Sequence, residues 1–148
     1  MSKMINSILL VDDEDLFHLV FEDACSILDI TLSLEALNSS DEADKLFKAW
    51  FPDDPNSERP ECVFVDLNII GSSFDGIELI RKINFDYGNG CVIGIISSSD
   101  DNQEIEKAKA AGAQFWIIKS DDIEPRLEEF RNDYDGYLNK TNPFKVYK

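Results

Sequence analysis

Val63, Phe64 and Val65 run without a polar break into Asp66. An unbroken run rich in β-branched and aromatic residues suits a strand buried on both faces. Strands of that kind belong to parallel sheets covered by helices, and such sheets bind ligands just beyond the carboxyl ends of their strands. Asp66 stands at such an end. Any fold of this chain must bury the run and bring neighbours to the carboxylate at its tip.

The same pattern recurs along the chain. Residues 8–11 are apolar and end in Asp12, Asp13, Glu14 and Asp15, which predicts a buried strand followed by acids favouring a helix N-terminus. Leu16, Leu19, Val20, Ala24, Ile27 and Leu28 recur at helical spacing, with Phe17 and Phe21 widening the stripe, so this face is expected to be buried. Ile30, Leu32, Leu34 and Ala36 alternate with polar residues and predict a second strand with one wetter face. Ser39, Ser40, Asp41 and Glu42 fit a capping box for a helix running to about Phe51. Residues 52–61, rich in proline and acid, predict a long loop.

After the Asp66 strand, Asp75-Gly76 opens a helix with Ile77, Leu79, Ile80 and Ile83 facing inward. Residues 87–90 predict a turn and 92–96 a fourth strand, closed by Ser97, Ser98 and Ser99. Asp100 or Asp101 suits the cap of a helix stopping at Gly112. Residues 114–118 predict a fifth strand, followed by Lys119. Pro125 suits the first turn of a last helix burying Ile123, Leu127, Phe130 and Tyr134. The segment 139–148 carries three lysines and no acid, and is expected to be a C-terminal tail. Five strand-then-helix units predict one α/β domain over residues 1–138. Its architecture is a doubly wound, five-stranded parallel sheet, order 2-1-3-4-5 and flavodoxin-like, with five helices and right-handed crossovers.

Charge narrows the function. The 148 residues carry a formal net charge of −16. That disfavours nucleic-acid phosphates and anionic membranes as partners. No apolar run approaches the ~20 residues of a spanning helix, and no signal peptide is expected at the N-terminus. Cys25, Cys62 and Cys91 are an odd, widely spaced set, which suits a reducing cytoplasm better than a zinc site or a disulfide framework.

Four strand ends carry polar residues: Asp12 and Asp13, Asp66, Ser97, and Lys119. In a doubly wound sheet they converge on one crevice. Three crowded carboxylates repel, and one takes up a proton unless something relieves the conflict. A hard divalent cation relieves it, and an all-oxygen set suits Mg²⁺ or Mn²⁺. An ammonium from Lys119 and a hydroxyl from Ser97 complete a place for a phosphoryl group, with Asp66 as the nucleophile that forms an aspartyl phosphate. Each residue alone has a bland reading: a helix cap, a turn, a solvated lysine. Only the joint arrangement points to chemistry. His18, the single histidine, suits a surface helix position.

The motifs Leu10-Val11-Asp12-Asp13-Glu14, Val65-Asp66-Leu67, Asp75-Gly76, Ile95-Ile96-Ser97-Ser98, Ala111-Gly112-Ala113 and Ile117-Ile118-Lys119 stand in order at near-family spacing. With them the chain resembles the receiver domain of two-component response regulators, over about residues 5–138. The resemblance implies that Asp66 accepts phosphate from a phosphohistidine on a sensor histidine kinase or phosphotransfer protein. It implies Mg²⁺ held directly by Asp13, largely through water by Asp12, and by the backbone carbonyl of Asn68. It implies that Ser97 and Lys119 hold the phosphoryl oxygens, and that Ser97 and Trp116, which falls where the family has a Tyr, Phe or His, act as switch residues. The loop from Asp66 to Gly76 is two residues longer than the usual pattern and lacks its proline near Ile70. Ser120 replaces the usual proline, and Ser98 a common alanine.

The expectation is a single-domain, CheY-like regulator, cytoplasmic, a monomer or weak dimer. It relays a signal to a downstream protein at the surface of the fourth helix, fifth strand and last helix. It hydrolyses its own phosphoryl group, with Asn68 and Ser99 small enough to admit water, and is not an enzyme turning over an external substrate. Two other readings are a Mg²⁺ phosphatase and a phosphate-independent adaptor. Haloacid-dehalogenase-like phosphatases carry a second Asp two residues after the nucleophile; here Asn68 stands there and cannot shuttle a proton.

Overall fold

Apolar side chains along Ile8–Val11 (β1) and Cys62–Asp66 (β3) leave those strands only the centre of a sheet, because both of their faces must be covered. The computed structural model describes residues 4–31, 33–50, 59–69, 71–86, 91–120 and 122–148. Leu32, residues 51–58, Ile70 and the turn expected over 87–90 lie outside them. The remaining strands are β2 (Leu34–Leu37), β4 (Val92–Ser97), β5 (Phe115–Ile118) and β6 (Lys145–Tyr147). The helices are α1 (Asp15–Leu28), α2 (Ser40–Trp50), α3 (Gly76–Arg81), α4 (Asn102–Ala110) and α5 (Glu124–Leu138), with α3 running on into a π-helical turn, Lys82–Asp86.

All strand pairs are parallel, and the sheet runs β2-β1-β3-β4-β5-β6. The doubly wound, flavodoxin-like arrangement is as expected, but six strands replace the expected five. The extra strand comes from the segment expected to be a tail. Lys145–Tyr147 pairs with β5 in the register Phe115↔Lys145, Trp116↔Val146 and Ile117↔Tyr147. The residues that drive it are apolar and alternate. Phe144 and Val146 pack on one face of the sheet, and Tyr147 is buried on the other. The Tyr147 hydroxyl lies 2.7 Å from that of Tyr137 and donates to Asp133 at 2.7 Å. Lys145 pairs with Glu129 at 2.8 Å and Asp133 at 3.1 Å.

Period-two alternation sends the strands' side chains into two cores. Under α1 and α5 the core is aromatic: the Phe64 ring lies 5.1 Å from Phe21, 5.4 Å from Phe115 and 5.3 Å from Phe130. Such edge-on pairs add about 0.5–1.5 kcal/mol each beyond burial. The opposite core, under α2, α3 and α4, is mostly aliphatic and takes Trp116. The aromatic core corrects the expected facing of α1. Phe17, Phe21, Ala24 and Cys25 turn inward, while Leu16 is 73%, Leu19 63% and Ile27 60% exposed. Both faces of that helix are apolar, and the face with two phenyl rings matches a core already built from rings.

Local signals at the site-bearing loops act as expected. The Asp75 side chain accepts from the Glu78 N–H at 2.9 Å and caps α3, and Asp101 accepts from the Gln103 N–H at 2.8 Å and caps α4. A Cβ at Gly76 would stand 2.1 Å from the Asp66 carbonyl oxygen, so only glycine lets α3 begin against the end of β3. The longer loop before α3 is tied to the start of α2. The Ser40 hydroxyl donates to the Phe74 carbonyl at 2.7 Å, the Ser72 hydroxyl accepts from the Ser40 N–H at 3.0 Å, and Asp41 accepts from the Ser73 N–H at 3.0 Å.

Burial of Tyr147 gives β6 a measurable weight. Tyr147→Ala should cost about 3–5 kcal/mol in urea unfolding, as for other large aromatic truncations in cores. A loss within about 0.5 kcal/mol would instead mark residues 145–147 as a solvated surface segment.

Candidate functional site

The carboxyl ends of β1 and β3 lie side by side, with Val11 opposite Val65 in the register. Asp12 continues β1 by donating its N–H to the Leu37 carbonyl at 2.9 Å, and its side chain is fully buried. Asp66 ends β3 and is buried. Asp13 follows, half-buried, and one carboxylate oxygen from each of Asp12, Asp13 and Asp66 lies within 4.8 Å of the others. The three expected metal-binding side chains are therefore together. Asn68, expected to offer its backbone carbonyl, is an exposed residue of the loop that leaves β3.

Ser97 ends β4 one residue past the Asp66↔Ile96 pair and is buried. Its hydroxyl accepts from the Ser99 N–H at 3.1 Å, which folds the following loop back over the strand end. Lys119 follows β5. Its N–H bonds to the Ser97 carbonyl at 2.7 Å, so β4 and β5 stay paired up to the rim. Ser120, at the usual proline position, receives a hydrogen bond from Arg126 at 2.7 Å.

Lys119 does not sit on Asp66. Its ammonium lies 2.8 Å from Asp12 and 2.6 Å from Glu14, but 3.8 Å from Asp66, with the Phe17 ring centroid 4.4 Å below. Its side chain is 9% exposed. Glu14 was not singled out from the sequence, because an acid before a helix reads as a complement to the helix dipole. Glu14 does occupy the N-cap position of α1, but its carboxylate caps nothing and reaches Lys119 instead. Its backbone N–H donates to Asp12 at 2.8 Å. His18 is also nearer the site than expected, its ring Nε2 donating to the Asp12 carbonyl.

Trp116 is fully buried, and its indole N–H donates to the Ser99 carbonyl at 2.9 Å. This aromatic side chain already points inward. The free edge of β5, expected to form part of a docking surface, is instead covered by β6.

Electrostatics follow from crowding. Burial, then the neighbouring Asp12 charge, push the Asp66 carboxyl up to about 7, against a smaller opposing pull from Lys119. Burial also raises Asp12, with Lys119 offsetting part of the effect. For Lys119 burial works downward, but the bonds to Asp12 and Glu14 outweigh it, and the ammonium is held above its ordinary value. A rim with a crowded carboxylate, an ammonium and a buried hydroxyl suits a group that brings its own oxygens, such as a phosphoryl group.

Comparison with known proteins gives the family and the fold. The family model described as "Response regulator receiver domain" matches residues 8–131, and the chain belongs to that family. No curated protein matches the chain. Among solved structures, a two-component response regulator from Cytophaga hutchinsonii is 22% identical with a TM-score of 0.75, over 93% of this chain and 99% of that one. The response regulator RPA3017 in red light signaling of R. palustris is 19% identical with a TM-score of 0.72, over 93% and 96%. The phosphorylated cyanobacterial phytochrome response regulator RcpA is 18% identical with a TM-score of 0.67, over 93% and 96%. At these identities the likeness is one of fold. Among the described residues no helix is long and apolar enough to cross a membrane.

The position of Asp66 yields a pH test. Its folded pKa is raised above the unfolded value of 3.8, so the folded chain binds more protons between about 4 and 7. Stability attributable to this group therefore falls as pH rises through that window, and the loss is complete above about 7. In metal-free buffer Asp66→Asn should stabilise the protein at pH 8 by on the order of 1–4 kcal/mol more than at pH 4. Equal stabilisation at the two pH values in chemical denaturation would contradict the raised pKa.

Proposed function

We propose that this receiver domain takes a phosphoryl group onto Asp66 from a phosphohistidine on a sensor kinase or phosphotransfer protein, in a reaction that uses Mg²⁺ or Mn²⁺. The observation that carries the reading is the convergence of Asp12, Asp13 and Asp66 on one rim with Lys119 and Ser97 beside them. The donor set fits a hard cation: three carboxylates with oxygens within 4.8 Å, one of them pushed up to about 7 by burial and a like charge. Asp12, Asp13, Asp66 and the Asn68 carbonyl are the groups that would hold it. When bound, the ion neutralises the crowded carboxylates and the charge of an incoming phosphoryl group.

The chain's own residues then divide the work. An Asp66 carboxylate oxygen attacks phosphorus, the P–O bond forms as the P–N bond to the donor histidine breaks, and the imidazole leaves. Ser97 and Lys119 hold phosphoryl oxygens. Asn68 and Ser99 are small enough to let water reach the acyl phosphate, so the domain discharges itself and is not a turnover enzyme on an external substrate. The new charge of about −1.5 to −2 draws on the Ser97–Ser99 loop, whose Ser99 carbonyl holds the Trp116 indole. A downstream protein is the recipient of the signal. A charge of −16 speaks against nucleic acid as that recipient, and the free thiols of Cys25, Cys62 and Cys91 suit a cytoplasmic setting.

Incubation with Mg²⁺ and phosphoramidate should add one phosphoryl group by intact mass, lost at neutral pH in less than many hours. Asp66→Asn should abolish the adduct, and Lys119→Ala or omission of the cation should slow its formation by at least tenfold, about 1.4 kcal/mol in barrier. An adduct that persists undiminished in Asp66→Asn would refute the assignment.

A further inference from the structure

We propose that Glu14 is a positioning residue that parks the Lys119 ammonium away from Asp66, so that Lys119 must let go of Glu14 to meet a phosphoryl group. This rests on the phosphoacceptor reading above and adds to it a residue which that reading does not use.

The geometry is specific. An ammonium has three donors. The Lys119 nitrogen donates to Glu14 at 2.6 Å and forms an ion pair at 2.8 Å with Asp12, which is buried and fixed at the end of β1. Asp66, at 3.8 Å, is within reach of its charge but beyond a hydrogen bond. The Phe17 ring, 4.4 Å from the ammonium, supports it from below on the α1 side. Lys119, Glu14 and Phe17 also share the wall of a cleft of about 240 Å³ with Leu16, Val20 and Ser98. The ammonium is thus drawn toward the start of α1.

Glu14 is suited to holding and releasing. It stands 59% exposed, so water can take over its carboxylate when the lysine leaves. Its side chain makes no cap bond in α1, so breaking the pair leaves no helix N–H newly unpaired. Its backbone bond to Asp12 is independent of the side chain, and Asp12 stays in place when Glu14 changes. An ion pair open to water on its glutamate side is a weak one, and a weak competitor can be overcome by a doubly charged phosphoryl group while still reducing premature engagement of Lys119.

The test is the binding of beryllofluoride, a reversible mimic of the phosphoryl group, to the full chain at saturating Mg²⁺, with occupancy read by fluorine NMR. Glu14→Gln should lower the concentration for half-occupancy by roughly two- to fivefold, the range expected from such a weak pair. Asp15→Asn removes the same charge one residue further on and should leave the midpoint unchanged. An unchanged or higher midpoint in Glu14→Gln overturns the proposal, and so does an equal drop in Asp15→Asn, which would make the effect one of general charge. A wild-type chain that binds no beryllofluoride overturns the phosphoacceptor reading itself, an outcome distinct from the other two.

Discussion

Like charges held against their repulsion are what the rest of this fold supports. At roughly 5 Å and an effective dielectric constant of about 20, two carboxylates repel by on the order of 3 kcal/mol, and here three are gathered at one rim. Free side chains would separate. These cannot, because Asp12 and Asp66 end adjacent central strands whose apolar residues fill two cores, and moving either would pull Val11 or Val65 out of register. The hydrophobic effect thus holds an electrostatic conflict in place. Its visible sign is Asp66, pushed up to about 7 mainly by burial and next by Asp12.

For Asp12 and Asp66, relief among the described residues comes from the Lys119 ammonium, and it is shared unequally. Lys119 pairs with Asp12, hydrogen-bonds Glu14 and reaches Asp66 only at a distance. The most fully buried acid therefore receives the direct partner, as the cost of burying an unpaired charge requires. Asp66 keeps the least compensation of the two strand-end acids. A carboxylate left in that condition gains most from a group that brings countercharge.

Much of this was legible in the chain because strand ends are written twice, once as an apolar run and once as the polar residue that closes it. Asp12, Asp66, Ser97 and Lys119 each follow such a run, and the parallel topology does the rest. The facing of α1 was not legible, since Leu16, Leu19 and Ile27 form as good a stripe as Phe17, Phe21 and Cys25. Only the aromatic character of the opposing surface, spread over β3, β5 and α5, decides between them. The sixth strand was hidden for a different reason: three residues, one of them Lys145, give too short a period to register. Its apolar side chains answer to Trp116 and Phe130, which are distant in sequence. Glu14 escaped notice because its charge has two uses before a helix, and only the position of Lys119 selects one.

The covered edge of β5 changes which part of the chain a displacement at the end of β4 would meet. The Ser97 hydroxyl accepts from the Ser99 N–H, and the Ser99 carbonyl accepts the indole N–H of Trp116. Trp116 stands opposite Val146 in the β5–β6 register, so the two side chains project to the same face of the sheet. Moving that carbonyl would leave a buried indole N–H without its partner, at a cost of about 1–3 kcal/mol. A ring that followed the carbonyl would avoid that cost but would disturb the core it shares with Val146. Because interiors are close-packed, such a shift is felt by every neighbour it touches. In a five-stranded sheet the outer side of β5 would meet solvent or a partner. Here β6 stands on that outer side, paired with β5 from Phe115↔Lys145 to Ile117↔Tyr147.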